Sequence, residues 1–202
     1  MQKIISLFQR NYDGDRLVRD EIVPGAEWVA RGEGQATRKF DGTCCLVKDG
    51  KLFKRYDAKN GKNPPEGFVP AQEPDPNTGH WPGWLLCSRD NPADRWHWQA
   101  WDNQHTLPNG TYELCGPKVQ SDAERDYRMS EQPDQDIHVL IPHGSYVFAS
   151  EGNGNLYDGC PRTFRALRQW FVGKDIEGIV WHHPDGRMVK IKKRDFGMKR
   201  AD

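Results

Sequence analysis

The tightest constraint on the fold is a pair of strand–turn–strand patterns. Residues 44–47, a turn at Asp49-Gly50 and residues 51–56 form the first; residues 177–183, a turn over Pro184-Asp185-Gly186 and residues 187–193 form the second. Asp-Gly supplies the positive φ that a tight hairpin turn requires. The returning arms alternate, Leu52, Lys54 and Tyr56 against Phe53 and Arg55, and Val189 and Ile191 against Lys190 and Lys192. That is the period of a strand with one buried face. The chain therefore reads as an α+β protein with largely antiparallel sheets.

Elsewhere the pattern is weaker. Residues 161–172 place Phe164, Leu167 and Phe171 at helical spacing behind Pro161, which suits a first turn, and predict a packing helix. Residues 60–91 are rich in proline and glycine and read as an irregular surface excursion, whose tryptophans argue against simple disorder. Residues 121–136 are polar without apolar periodicity and read as a mobile loop. A length of 202 residues, with no repeat or long linker, suits one domain spanning 1–202.

Composition narrows the partners. Lys plus Arg and Asp plus Glu are 29 each, so any nucleic-acid surface is local rather than global. One local surface is residues 187–200, with seven basic side chains against Asp195, in which Lys193 and Arg194 are candidates for nucleic-acid phosphates. The five cysteines, at 44, 45, 87, 115 and 160, show no Cys-x-x-Cys pair and no spacing typical of zinc ligands. They read as reduced thiols in the cytoplasm. No stretch approaches the ~20 apolar residues of a membrane span, so no membrane association is expected.

The chemistry concentrates on lysines. Lys39-Phe40-Asp41-Gly42 stands just before a predicted strand. A lysine nucleophile must lose a proton from an ammonium whose ordinary pKa is about 10, and desolvation or neighbouring cations favour that loss. Lys190 and Lys192, two apart on one strand, face the same side and could serve both that purpose and a phosphate site. Glu177, on the same hairpin, is a candidate for a divalent metal or for one of the lysines. His143 and His182 read as structural histidines, Cys44 and Cys45 as strand-packing thiols, and Trp96, Trp98 and Trp101 as core rings rather than base-stacking ones.

The order Lys39-x-Asp41-Gly42, Tyr112-Glu113-Leu114-Cys115-Gly116, Glu177-Gly178-Ile179-Val180, Lys190-x-Lys192 resembles the signature of covalent nucleotidyltransferases, the superfamily of ATP-dependent ligases and capping enzymes. Within it the chain is similar to the small vertebrate-type 5′-to-3′ RNA ligase family. The residues that carry the likeness are Lys39-Phe40-Asp41-Gly42-Thr43-Cys44-Cys45, Thr78-Gly79-His80-Trp81-Pro82-Gly83-Trp84, His138-Val139-Leu140-Ile141-Pro142-His143-Gly144 and Ile176-Glu177-Gly178-Ile179-Val180-Trp181-His182.

The resemblance implies a single nucleotidyltransferase domain, akin to ATP-grasp-like ligases, with flanking helices and no C-terminal OB barrel. It implies a monomer that uses ATP and Mg²⁺ (or Mn²⁺) to join RNA 3′-hydroxyl and 5′-phosphate ends through a lysyl-AMP intermediate. It assigns Lys39 as nucleophile, Asp41 to its motif, Arg55 to the nucleotide or RNA phosphate, and Glu113 to the ribose. It assigns Phe148, with Tyr146 as second choice, to adenine stacking, Glu177 to the metal and the lysine, and Lys190 and Lys192 to the phosphates. Arg38 departs from the Glu that many relatives carry before the nucleophile. The competing readings are a DNA ligase or capping-type core, and a non-catalytic nucleotide or RNA sensor that would lack some of these residues.

Overall fold

The computed structural model describes residues 3–59, 62–76, 78–104, 106–131, 137–148 and 159–200. In chain order its elements are β1 (Ile5–Ser6), β2 (Phe8–Arg10), β3 (Val18–Ile22), α1 (Glu27–Ala30), β4 (Gln35–Lys39), β5 (Thr43–Lys48), β6 (Lys51–Ala58), β7 (Val69–Pro70), β8 (Trp81–Leu86), α2 (Arg95–Asp102), β9 (Gly110–Cys115), α3 (Arg125–Glu131), β10 (Val139–Pro142), α4 (Phe164–Phe171), β11 (Gly178–His182) and β12 (Met188–Lys192). The protein is thus mixed α+β with mostly antiparallel sheets and few helices. No helix among the described residues is long and apolar enough to cross a membrane.

The chain divides into two compact units, one made of Asp41–His143 with Lys3, the other of Ile4–Phe40 and residues 144–200. In the second unit the four-stranded sheet runs β1-β12-β11-β4, with only the β1–β12 pair parallel. Its buried face follows from the period of two: Ala36, Ile179, Trp181, Val189 and Ile191 are all fully buried. Leu167 and Phe171 of α4 join them in one core, along with Trp28, Leu7 and Phe8. The helix is shorter than its sequence pattern, because Thr163, extended at φ −98 and ψ 152, precedes the first turn. Pro161 therefore lies outside it.

The first unit is a six-stranded antiparallel sheet in the order β10-β9-β5-β6-β8-β7. Its first hairpin forms as the sequence predicts, with Asp49 and Gly50 both at positive φ (51° and 69°). The core gathers Val47, Leu52, Tyr112, Leu114 and Leu140, with Trp96, Trp98 and Trp101 packed against it.

Two expectations need correction. Residues 60–91 are not simply an irregular excursion, since Trp81–Leu86 pairs along β6 from Phe53↔Leu86 to Ala58↔Trp81 and buries Trp84. Nor is 121–136 a plain loop: Arg125–Glu131 is helical, and the Arg128 guanidinium is buried, donating to the Ile137 carbonyl at 2.7 Å and to Asp122. That burial anchors a segment whose sequence offers no apolar stripe. Residues 132–136 lie outside the described residues.

Leu167 has no exposed surface in the α4–sheet core. Leu167→Ala is expected to lower the free energy of unfolding by about 2–5 kcal/mol, as read by denaturant titration.

Candidate active site

Three lysines converge on one face of the four-stranded sheet. The register sets Gly178 of β11 opposite Lys39 on β4 and opposite Lys192 on β12, while Val180 stands opposite Thr37 and Lys190. Side chains at directly paired positions lie on the same side of a sheet, so Lys39, Lys190 and Lys192 share the face opposite the core. Gly178 is required here by close approach, since a Cβ would come within 2.2 Å of the Ile191 carbonyl oxygen.

Glu177, immediately before Gly178, joins the lysines. One carboxylate oxygen accepts a hydrogen bond from Lys39 Nζ, and the other accepts from Lys192 Nζ at 2.5 Å. The side chains are only 20%, 9% and 16% exposed for Lys39, Glu177 and Lys192 respectively, so these charges interact with limited screening. Burial alone would raise the Glu177 carboxyl; the Lys39 and Lys192 ammonium groups outweigh it and hold the group below the ordinary carboxylate range. Lys190 is brought down to about 8, first by burial and then by repulsion from Lys192 and Lys39. The arrangement offers a cationic face for phosphate oxygens and one carboxylate to order it.

A divalent cation is less well served by this group alone. Both oxygens of Glu177 already accept from ammonium groups, and Lys190 lies close enough for its charge to act on the same group. Such a donor set fits Mg²⁺ only where phosphate oxygens complete the shell.

The strand carrying Lys39 is flanked by residues 146–148. Arg38 N–H donates to the Tyr146 carbonyl, Phe148 N–H to the Ala36 carbonyl, and Thr37 bridges Val147. Val147 thereby shares the Thr37 and Lys39 face. Phe148 instead packs against the core cluster, edge-on to Trp170 at 5.2 Å. The alternation of strand side chains turns Phe148, the residue expected to stack on adenine, to the face opposite Thr37 and Lys39. Tyr146, 39% exposed, meets Phe40 at 6.5 Å and Phe148 at 5.9 Å, edge-on.

Lys193 is also corrected. It is 1% exposed, and its ammonium donates to the backbone carbonyls of Lys174 and Arg200, each at 2.8 Å. It is a buried tie near the end of the described chain, not a contact for RNA phosphate. Arg194, beside it, is exposed.

In the first unit, Asp41 and Gly42 continue the lysine motif. Gly42 N–H donates to Glu113 Oε1 at 3.1 Å, and a Cβ on Gly42 would lie 2.2 Å from the Leu114 carbonyl oxygen. The glycine of the motif is therefore what lets the backbone press against β9. Asp41 N–H donates to Glu124 Oε1 at 2.9 Å, and Glu124 is 1% exposed. The other oxygen of Glu113 meets His143 Nε2 at 2.8 Å. Cys44, opposite Glu113 in the β5–β9 register, brings its sulfur to the same cluster, with donor atoms of Cys44, Glu113 and His143 within 4.8 Å of one another. Arg55 lies over the Trp84 ring at 5.0 Å and lines a cleft of about 400 Å³ with Lys3, Asp57, Thr78, His80 and Pro82.

Two of these residues are not marked as site residues by the sequence. His143, which reads as structural, is partnered by Glu113; its signal is its place in the Pro142-His143-Gly144 run. Glu124 sat in a stretch read as a loop and left no signal at all. His182 is hydrogen-bonded to Thr37 Oγ1 at 3.1 Å.

The lowered pKa of Lys190 carries a stability consequence. Its folded pKa lies near 8, below the unfolded value of 10.5, so between these limits the unfolded chain holds more protons and stability rises with pH. The difference in unfolding free energy between the wild type and Lys190→Met is expected to shift in favour of the wild type from pH 8 to pH 10.5 and to stay flat below pH 8. Denaturant titrations across that range measure it; a shift in favour of the variant would contradict the sign.

Comparison with known proteins gives a consistent direction. A family model described as RNA ligase 1 matches residues 103–202, the stretch that holds Glu113, Glu177, Lys190 and Lys192. Curated proteins named RNA ligase 1 are similar to this chain: that of Pongo abelii is 26% identical, covering 80% of this chain and 67% of the relative. Those of Rattus norvegicus and Danio rerio are 25% and 24% identical, each covering 81% of this chain and 67% of the relative.

Proposed function

We propose that this chain, a relative of the RNA ligase 1 family, is an ATP-dependent RNA ligase built on a nucleotidyltransferase fold, with Lys39 as its nucleophile. The observation that carries the reading is the Glu177 carboxylate shared by Lys39 and Lys192, with Lys190 on the same face. A structural salt bridge needs two charges; three lysines gathered on one sheet face around Glu177 favour binding of a polyanion. Electrostatic repulsion on that scale is a recurring mark of functional sites.

In the proposed first step the neutral Lys39 amine attacks the α-phosphorus of ATP. An N–P bond forms, the bond to the bridging oxygen breaks, and pyrophosphate leaves. Glu177, in hydrogen-bond contact with Lys39, is the group placed to relay the proton that Lys39 gives up. Lys192 and Lys190 offer positive charge where it builds on the transferring phosphoryl group. AMP then passes from Lys39 to an RNA 5′-phosphate, and a 3′-hydroxyl attacks that phosphate to form the phosphodiester and expel AMP.

The remaining assignments rest on the family resemblance. Glu113 would hold the ribose, with His143 fixing its carboxylate. Asp41 would order the loop through its backbone, and Arg55 would meet a nucleotide or RNA phosphate from the cleft it lines. The exposed Arg194 is a further candidate for RNA phosphate. Mg²⁺ or Mn²⁺, held by phosphate oxygens with Glu177 as a protein ligand, would supply neutralising charge.

The test is end joining of a 5′-phosphorylated, 3′-hydroxyl nick in RNA, run beside the same nick in DNA, with ATP or GTP. The wild type is expected to seal the RNA with ATP, and Lys39→Ala to lose about 10³-fold or more. Lys192→Met is expected to fall by about 10–10³-fold, as for removal of a charge that acts on the transition state. Sealing confined to DNA, or a requirement for GTP, would replace this reading by a DNA ligase or capping-type core. No joining of either substrate would leave a nucleotide or RNA sensor.

A further inference from the structure

We infer that Cys87, Asp94 and His97 form a zinc site that pins the start of α2 to the end of β8. This inference stands apart from the ligase reading. None of the three belongs to the cluster around Glu177, and all lie in the unit of Asp41–His143.

The observations are geometric. Cys87 follows the last residue of β8, Asp94 immediately precedes α2, and His97 sits in its first turn. Asp94 and His97 are three apart, the spacing that brings two side chains to one face of a helix. All three are at least nine-tenths buried, at 3%, 1% and 8% exposed. Their donor atoms, one sulfur, one carboxylate oxygen and one ring nitrogen, all lie within 4.8 Å of one another. Both ring nitrogens of His97 are closed to solvent, and neither has a hydrogen-bond partner. A neutral imidazole always carries one N–H donor and one acceptor, so burying it unpaired is unfavourable, and an orphan of this kind calls for a missing partner.

The carboxylate is already oriented as a ligand would be. One oxygen of Asp94 accepts from Lys54 Nζ, the other from Ser88 N–H at 2.9 Å. Such outer contacts fix the direction of ligating carboxylates in metal sites. Each oxygen keeps a further lone pair, and the Lys54 charge offsets the negative charge that the thiolate and carboxylate bring together.

The donor set selects the ion. A cysteine sulfur excludes Mg²⁺ and Ca²⁺, which take oxygen ligands, and the combination of thiolate, imidazole and carboxylate suits Zn²⁺. Tetrahedral zinc would hold these donors about 3.3–3.6 Å apart, within reach of small side-chain adjustments. Binding requires the Cys87 thiol to release its proton to solvent. Cys-x₆-Asp-x₂-His is not among the usual zinc spacings, so the spacing alone does not mark the site.

The probe is metal on the full chain. Protein purified without a metal-affinity step is expected to contain close to one zinc per chain by mass spectrometry of the elements. After removal of zinc with a chelator under reducing conditions, added Co²⁺ is expected to give the near-ultraviolet band of a thiolate–cobalt bond and visible bands of tetrahedral cobalt. Cys87→Ser should lose the thiolate band and His97→Gln should lose most of the bound metal, whereas Cys160→Ser, in the other unit, should keep both signals. The wild-type cobalt spectrum needs no variant, so a folding defect in either substitution leaves the test intact. A wild type with neither zinc nor a cobalt spectrum overturns the inference, as does metal retained at full stoichiometry in both Cys87→Ser and His97→Gln.

Discussion

The contact on which the candidate site depends is the bidentate use of Glu177, one oxygen to Lys39 and the other to Lys192. Three ammonium groups on one sheet face repel one another, and that repulsion adds to burial in bringing Lys190 down to about 8. Without a shared carboxylate the strands carrying them would hold like charges in a poorly solvated place, at a cost of several kcal/mol for a charge left unpaired. Everything around Glu177 serves its position. Gly178 allows β11 to approach β12, and the buried row Ala36, Ile179, Trp181, Val189 and Ile191 fixes the register that sets the lysines opposite.

The lysine motif works at a boundary in the chain. Lys39 ends β4 in one compact unit, while Asp41 and Gly42 open the other, where Gly42 meets Glu113 and Asp41 meets the buried Glu124. A motif of four residues therefore does two kinds of work. Its first residue carries the amine, its glycine is specified by close approach because no Cβ fits against Leu114, and the Asp41 amide is held by Glu124. The glycine of the motif is thus a packing requirement.

Much of this was legible in the sequence, for identifiable reasons. Both hairpins show period-two alternation ending in Asp-Gly or Pro-Asp-Gly, and the alternation alone placed Lys190 and Lys192 on one face with Val189 and Ile191 behind. The strand at Trp81–Leu86 was hidden because Pro82 and Gly83 interrupt it, residues that ordinarily mark a loop. The helix at Arg125–Glu131 was hidden because its anchor is a buried arginine rather than an apolar stripe. The placements of Phe148 and Lys193 escape the sequence for a related reason. A sequence position gives residue type, but which face Phe148 takes and whether Lys193 is capped by carbonyls depend on pairings that only the folded chain supplies.

The central claim is that Lys39 accepts AMP, and the most direct measurement is the mass of the protein after incubation with ATP and Mg²⁺. Intact and peptide mass spectrometry of the denatured chain should find one added AMP, located on the peptide that carries Lys39. AMP on Lys190 or Lys192 instead, or no adduct even after pyrophosphate treatment to strip pre-bound AMP and with Mn²⁺ in place of Mg²⁺, would contradict it.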